Sequence, residues 1–166
     1  VVSTDRYDAN FTYRRDISAQ WFLQNSLAGR VDQVKGIDRE LQELVGIGYR
    51  LKPSKKFELL FGGGGGIEDF QSNSNTARND LNAVVNIFQE FTWRPFDRAR
   101  VDQEFNYFVN PDDENQYNYL LRFSFRYRIT DLFGVEFSFR KNFDNDVAGN
   151  NQEDDTQWRN ALIVYF

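Results

Sequence analysis

Between Tyr119 and Arg140, apolar and polar residues trade places with a period of two, and no other feature of the chain limits its fold so tightly. Tyr119, Leu121, Phe123, Phe125, Tyr127 and Ile129 are apolar, and Arg122, Ser124, Arg126 and Arg128 stand between them. After Thr130-Asp131-Leu132 the alternation resumes, with Phe133, Val135, Phe137 and Phe139 set against Gly134, Glu136, Ser138 and Arg140. Side chains of a strand point to opposite faces in turn, so one face here is aromatic and the other cationic. A soluble barrel or sandwich turns its apolar face inward. Rows of large aromatics opposite rows of arginine fit the reverse arrangement, apolar toward lipid and polar toward a lumen.

The same pattern recurs along the chain. Tyr7 to Tyr13, Trp21 to Val31, Leu41 to Leu51, Phe57 to Ile67, Ala83 to Trp93 and Val101 to Val109 precede the two strands above, and Trp158 to Phe166 follows them. This predicts nine strands in an all-β, antiparallel, up-and-down transmembrane β-barrel, a single domain over residues 1–166. A mean hydropathy of −0.66 does not oppose this, because a barrel strand shows only alternate residues to lipid. No run approaches the ~18 apolar residues of a membrane-spanning helix.

Short turns are expected near 15–20, 52–55, 94–98 and 130–132, and longer polar loops near 32–39, 71–80, 110–116 and 145–157. Outer-membrane barrels have short periplasmic turns and longer external loops. Tyr13, Trp21, Tyr49, Phe57, Trp93 and Phe133 gather at the short-turn ends, with Phe166 closing the chain there, as an interfacial aromatic girdle would. The C-terminal strand with its aromatic end would engage the barrel assembly machinery. Nine is the wrong parity for a bacterial single-chain barrel. The nine are therefore expected to belong to a larger, even-stranded barrel with one or more N-terminal strands absent from this chain or supplied from elsewhere, an intact barrel with one segment misread being the rival. The start at Val1, with no initiator methionine or signal peptide, suggests a mature secreted chain or a fragment.

Particular motifs add a family resemblance. Gly36-Ile37-Asp38-Arg39, Gly46-Ile47-Gly48-Tyr49-Arg50-Leu51, the glycine-rich strand ending Glu68-Asp69-Phe70, and Tyr127-Arg128-Ile129-Thr130-Asp131 all belong to it, as do Asn142-Phe143-Asp144 and the closing Tyr165-Phe166. Together they resemble the domain-of-unknown-function 481 family, the salt-induced outer-membrane proteins. The resemblance covers most of the chain. It implies an outer-membrane barrel in a Gram-negative envelope, with more N-terminal strands than this chain has, and supplies no catalytic residues.

Charges on the polar face are the candidate functional groups. Pairing Ile129 with Phe133 sets Arg126 opposite Glu136 and Arg122 near Arg140, while Glu90, Asp102 and Glu104 on the preceding hairpin offer acids to those arginines. Charges withdrawn from bulk water require partners, so these residues are expected to brace the lumen as ion pairs, with a narrow pore as the rival arrangement. The five glycines Gly62 to Gly66 lack the Lys-Ser/Thr and helix of a phosphate-binding loop, and fit a strand that bends or admits a neighbouring side chain. On the apolar face Asn25, Gln89, Gln103 and Asn160 break the rule. Pairing Trp93 with Ala99 would place Gln89 opposite Gln103, where the amides could bond. Asp112-Asp113-Glu114 and Glu153-Asp154-Asp155 make the outer loops acidic. Solvation explains them, and divalent-cation binding is the rival.

Function follows from what is present and what is missing. The chain has no histidine, so the usual general base for serine or water activation is absent, and catalysis is not expected. It has no cysteine, and no cofactor or metal site is expected. A net charge of −5 argues against nucleic acid as a partner. The expectation is a non-enzymatic protein of the bacterial outer membrane, structural or binding in role, in contact with lipid, lipopolysaccharide and other envelope proteins. A small porin-like pore for ions or solutes is the alternative. A soluble lipocalin-like carrier is a third class, opposed by the arginine rows.

Overall fold

The computed structural model describes residues 6–33, 37–72, 80–145 and 153–165. These form nine strands: β1 Arg6–Asp16, β2 Trp21–Asp32, β3 Ile37–Ser54, β4 Phe57–Ser72, β5 Asp80–Trp93, β6 Ala99–Asn110, β7 Asp113–Arg128, β8 Phe133–Asp144 and β9 Glu153–Val164. They lie in one sheet in chain order, every neighbouring pair antiparallel. Each strand joins the next by a reversal, so the topology is up-and-down. The sheet is not closed: β1 pairs with β2 and β9 with β8, but not with each other.

The turn between β7 and β8 shows how local chemistry fixes register. Thr130 Oγ1 accepts hydrogen bonds from the amides of Leu132 (3.2 Å) and Phe133 (3.0 Å), and the Ile129 amide donates to the Phe133 carbonyl at 2.9 Å. Ser18 acts likewise between β1 and β2, accepting from the amide of Trp21 at 3.1 Å. A short hydroxyl that satisfies turn amides leaves the flanking strands free to start their ladders at once.

Two connections depart from expectation. The segment 110–116 is not a loop: β6 runs to Asn110 and β7 begins at Asp113. Asn110 Oδ1 accepts from the Asp112 amide at 2.9 Å and its amide group donates to Gln116 Oε1 at 2.7 Å, so the acidic tip is a tight Asx turn. The ladder shifts register between Val109 and Asn110, so that Val109 faces Tyr117 and Asn110 faces Asp113. With β2 and β3 also separated by only four residues, 33–36, loop length does not distinguish the two rims there. The centres of the two remaining long connections, 73–79 and 146–152, lie outside the described residues.

The second departure is the register of β5 on β6. Trp93 pairs with Val101, not Ala99, which sets Gln89 opposite Phe105 and Gln103 opposite Phe91. The two glutamines are not cross-strand partners. The reason lies in the turn. Arg94 donates its amide to the Lys56 carbonyl (2.7 Å) and Ala99 donates to Phe96 (3.1 Å), so the chain leaves β5 along the end of β4 and reaches β6 two residues later than a direct closure would.

The sheet curls around its even-numbered face. Arg14 on β1 hydrogen-bonds Glu90 on β5, although three strands separate them in the sheet. A small apolar core occupies this concave face at β2 to β5: Phe22, Leu44, Val84 and Phe88 are all buried. Its floor is glycine. A Cβ on Gly48 would stand 2.6 Å from Cε2 of Phe22, and one on Gly62 would stand 2.6 Å from Cζ of Phe88. The pairing of β3 with β4 and of β4 with β5 runs unbroken through Gly62 to Gly66, so these glycines make room for rings and close backbone rather than a bulge.

Candidate functional site

Beyond this core the concave face opens into a trough of about 820 Å³. Residues of β1, β5, β6, β7, β8 and β9 line it, from Thr12 and Arg14 at one edge to Gln157 and Arg159 at the other. Five arginines reach it (Arg14, Arg100, Arg122, Arg140 and Arg159) and three carboxylates (Glu90, Asp102 and Glu104). Five positive against three negative leaves the lining at +2, in a chain whose net charge is −5.

The pairing is specific. Arg126 donates through Nε and Nη2 to Glu136 Oε2, at 3.0 and 2.5 Å. Arg122 Nη1 donates to Glu104 Oε2 at 3.0 Å, and Asn106 holds the other oxygen of Glu104 at 2.9 Å. Arg122 and Arg140 face each other across β7 and β8. Asp102 accepts from Arg100 at 2.7 and 2.8 Å and from Thr92 Oγ1 at 2.8 Å. Glu90 does not serve the arginines of β7 and β8 as expected. It meets Arg14, which also donates to Gln24 at 2.7 Å and lies over the rings of Phe22 and Phe88 at 5.4 and 5.9 Å. The curl of the sheet decides this, because it brings β1 over β5 where a flat ladder would leave them far apart. Arg50 repeats the arrangement, bridging Asp16 at 3.1 Å with its guanidinium 5.6 Å from Phe22.

Arg14, Arg50, Arg100 and Arg159 have no place among the candidate charges read from the sequence, although all four share one face, the first three at even positions and Arg159 at an odd one because β9 pairs with β8 at opposite parity. Phe22 and Phe88 were also missed. Their signal was a lone aromatic on a polar face, each with a glycine as cross-strand neighbour: Phe22 opposite Gly48, and Phe88 opposite Gly62.

Odd-numbered residues of β1 to β8 and even-numbered residues of β9 cover the convex face. Trp21 begins β2, Trp93 ends β5 and Phe133 begins β8, all exposed at the short-turn rim, as is Tyr13. Trp21 meets Tyr49 edge-on at 5.0 Å, and Tyr49 meets Phe61 at 5.6 Å. Phe166 lies outside the described residues. A second aromatic group, not anticipated from the sequence, lies toward the opposite rim. Tyr107, Tyr117, Tyr119 and Phe143 touch in a chain, with centroids at 5.9 Å (Tyr107 to Tyr117), 5.8 Å (Tyr117 to Phe143) and 5.2 Å (Tyr119 to Phe143). Leu121, Phe123 and Phe125 on β7 separate the two groups. Glu43 interrupts the convex apolar surface on β3, exposed between Leu41 and Val45.

Among the described residues no three acidic groups come together as a metal site would require. Two acids of the outer tips are engaged locally: Asp154 pairs with Lys141 at 2.8 Å, and Asp113 accepts from the Asn115 amide at 3.1 Å.

A family model described as a protein of unknown function, DUF481, matches residues 1–166. Among solved structures the chain is similar to the NanC porin in its rhombohedral crystal form, with a TM-score of 0.62 at 8% identity over 97% of this chain and 79% of that one. No curated protein matches.

Proposed function

We propose that this chain, which belongs to the DUF481 family of proteins of unknown function, is a bacterial outer-membrane β-barrel whose concave face forms a narrow, water-filled pore. The spacing of the two aromatic groups carries the membrane assignment. On β7, Tyr117 and Tyr127 are ten residue steps apart. At ~3.3 Å per residue and a tilt of ~40°, they stand roughly 25 Å apart along the barrel axis, the height of the apolar band of an outer-membrane barrel. Tyrosine and tryptophan rings suit the two interfaces and the apolar residues between them suit acyl chains. Open sheet edges do not occur in hydrocarbon, so in the bilayer β1 and β9 must both gain hydrogen-bonded neighbours. Lipid and lipopolysaccharide are the expected surroundings of the convex face, and the assembly machinery the expected partner of β9.

The trough favours a pore over a filled scaffold. Its volume would hold roughly 25 to 30 waters at ~30 Å³ each, and eight charged side chains stand along walls that also include Phe91, Phe123 and Phe139. The aromatic core and the ion pairs at β1 to β5 favour the second reading, a cross-braced structural barrel that does not conduct. The absence of histidine supports a role without catalysis. The test is single-channel recording of the purified full chain in a planar bilayer. Discrete conductance steps are expected. Stable insertion without steps overturns the pore and leaves the scaffold.

A further inference from the structure

We infer that the trough holds small oxyanions, carboxylates or phosphates, and that the pore passes anions in preference to cations; the preference rests on the pore reading, while the binding site stands on its own geometry. Like charges directly opposite each other destabilise a sheet, yet this wall contains three such pairs: Glu90 facing Glu104, and the two cationic pairs Arg100 facing Arg126 and Arg122 facing Arg140. Below Arg122 and Arg140 the two strands place Ser124 opposite Ser138, and Ser138 in turn faces Arg159 on β9. Three guanidinium groups and two hydroxyls are thus gathered over three adjacent strands, which are ~4.8 Å apart.

One carboxylate meets this cluster at Arg122. Glu104 lies on β6 opposite Arg122 and takes a single Nη1 bond, while Asp102 is occupied by Arg100 and Thr92. The Arg122 side chain remains 44% exposed toward the trough. A guanidinium offers five N–H donors in a planar fork that matches an oxyanion, and seryl hydroxyls can donate beside it. The +2 lining runs against the −5 of the whole chain, so the positive charge is concentrated on the side where a solute would travel.

The experiment has two arms on the full chain. Reversal potentials in a tenfold KCl gradient compare the wild type with Arg140→Gln/Arg159→Gln, which brings the lining to zero, and with Arg140→Lys/Arg159→Lys, which keeps it at +2. One charge at ~8 Å in a watery medium changes the local ion ratio by about twofold, so the Gln variant should lose roughly fivefold of the chloride preference and the Lys variant should retain it. Isothermal titration of detergent-solubilised protein with inorganic phosphate, and separately with succinate, reads binding without conduction. Binding that falls in the Gln variant supports the site, and the two probes separate phosphate from carboxylate recognition. Channels without anion preference, or phosphate heats equal in wild type and the Gln variant, overturn the inference while leaving the pore intact. An absence of channels with variant-sensitive binding overturns the pore and keeps the site.

Discussion

Substituting Gly48 by alanine should damage the barrel through a ring on the neighbouring strand. The added methyl would stand 2.6 Å from Cε2 and 2.8 Å from Cε1 of Phe22. Non-bonded carbons prefer ~3.5–4.0 Å, so the ring must retreat by about 1 Å. It has nowhere to go. Phe22 is fully buried, with the Phe88 ring at 6.2 Å and the guanidiniums of Arg14 and Arg50 at 5.4 and 5.6 Å. Overpacking of this kind costs about 1–3 kcal/mol. Phe22→Leu alone should cost about 1–2 kcal/mol through lost ring contacts and lost cation–π attraction. The shorter side chain makes room for the methyl, so the double variant should be more stable than the sum of the singles by at least about 1 kcal/mol. Urea titration of the protein in phospholipid vesicles, followed by tryptophan fluorescence, measures all four forms. Trp21, Trp93 and Trp158 are all exposed on the convex face, opposite the substituted ring. Additivity within about 0.5 kcal/mol would refute the argument that Gly48 exists to seat Phe22.

Three further outcomes follow from the same structure. Phe123→Arg, near the middle of the convex band, should cost about 2–4 kcal/mol in vesicles, whereas Ser124→Arg, one residue on and facing the trough, should cost far less. Equal costs would remove the lipid-facing assignment. Arg126→Ala and Glu136→Ala should couple by no more than about 1 kcal/mol in a double-mutant cycle, because the pair is partly exposed and surface-like. A coupling of several kcal/mol would mean that the trough is dry. Arg14→Met should destabilise more than Arg126→Met, since it leaves Glu90 without its cross-trough partner and strips a cation from two rings. Matching unfolding midpoints for the two variants would count against a bracing role for Arg14.

Much of this was legible in period two alone. The alternation around Thr130-Asp131-Leu132 gives two strands, their faces and their register, because a three-residue break in the alternation that begins with a threonine leaves one good way to close. The five residues from Arg94 to Arg98 leave several, and only the bond from Arg94 to the Lys56 carbonyl of another hairpin chooses among them. Asn110 to Gln116 was misleading because acidity marks exposure, and the hairpin continues there through a register shift. The charges on β6 to β8 could be assigned to a face from parity. Their partners could not, because the meeting of Arg14 and Glu90 depends on the curl of the whole sheet. Phe22 and Phe88 contradict the local alternation and make sense only once glycines are seen beneath them.

Seating bulky rings on bare main chain separates what fills the concave face from the wall that carries it. Along β3 and β4, the space above the sheet is taken by side chains reaching over from β2 and β5, not by the staves they rest on. Trimming Phe22 or Phe88 would open that space without rewriting a single ladder bond. Relatives with the same staves could in this way differ in what their concave faces hold.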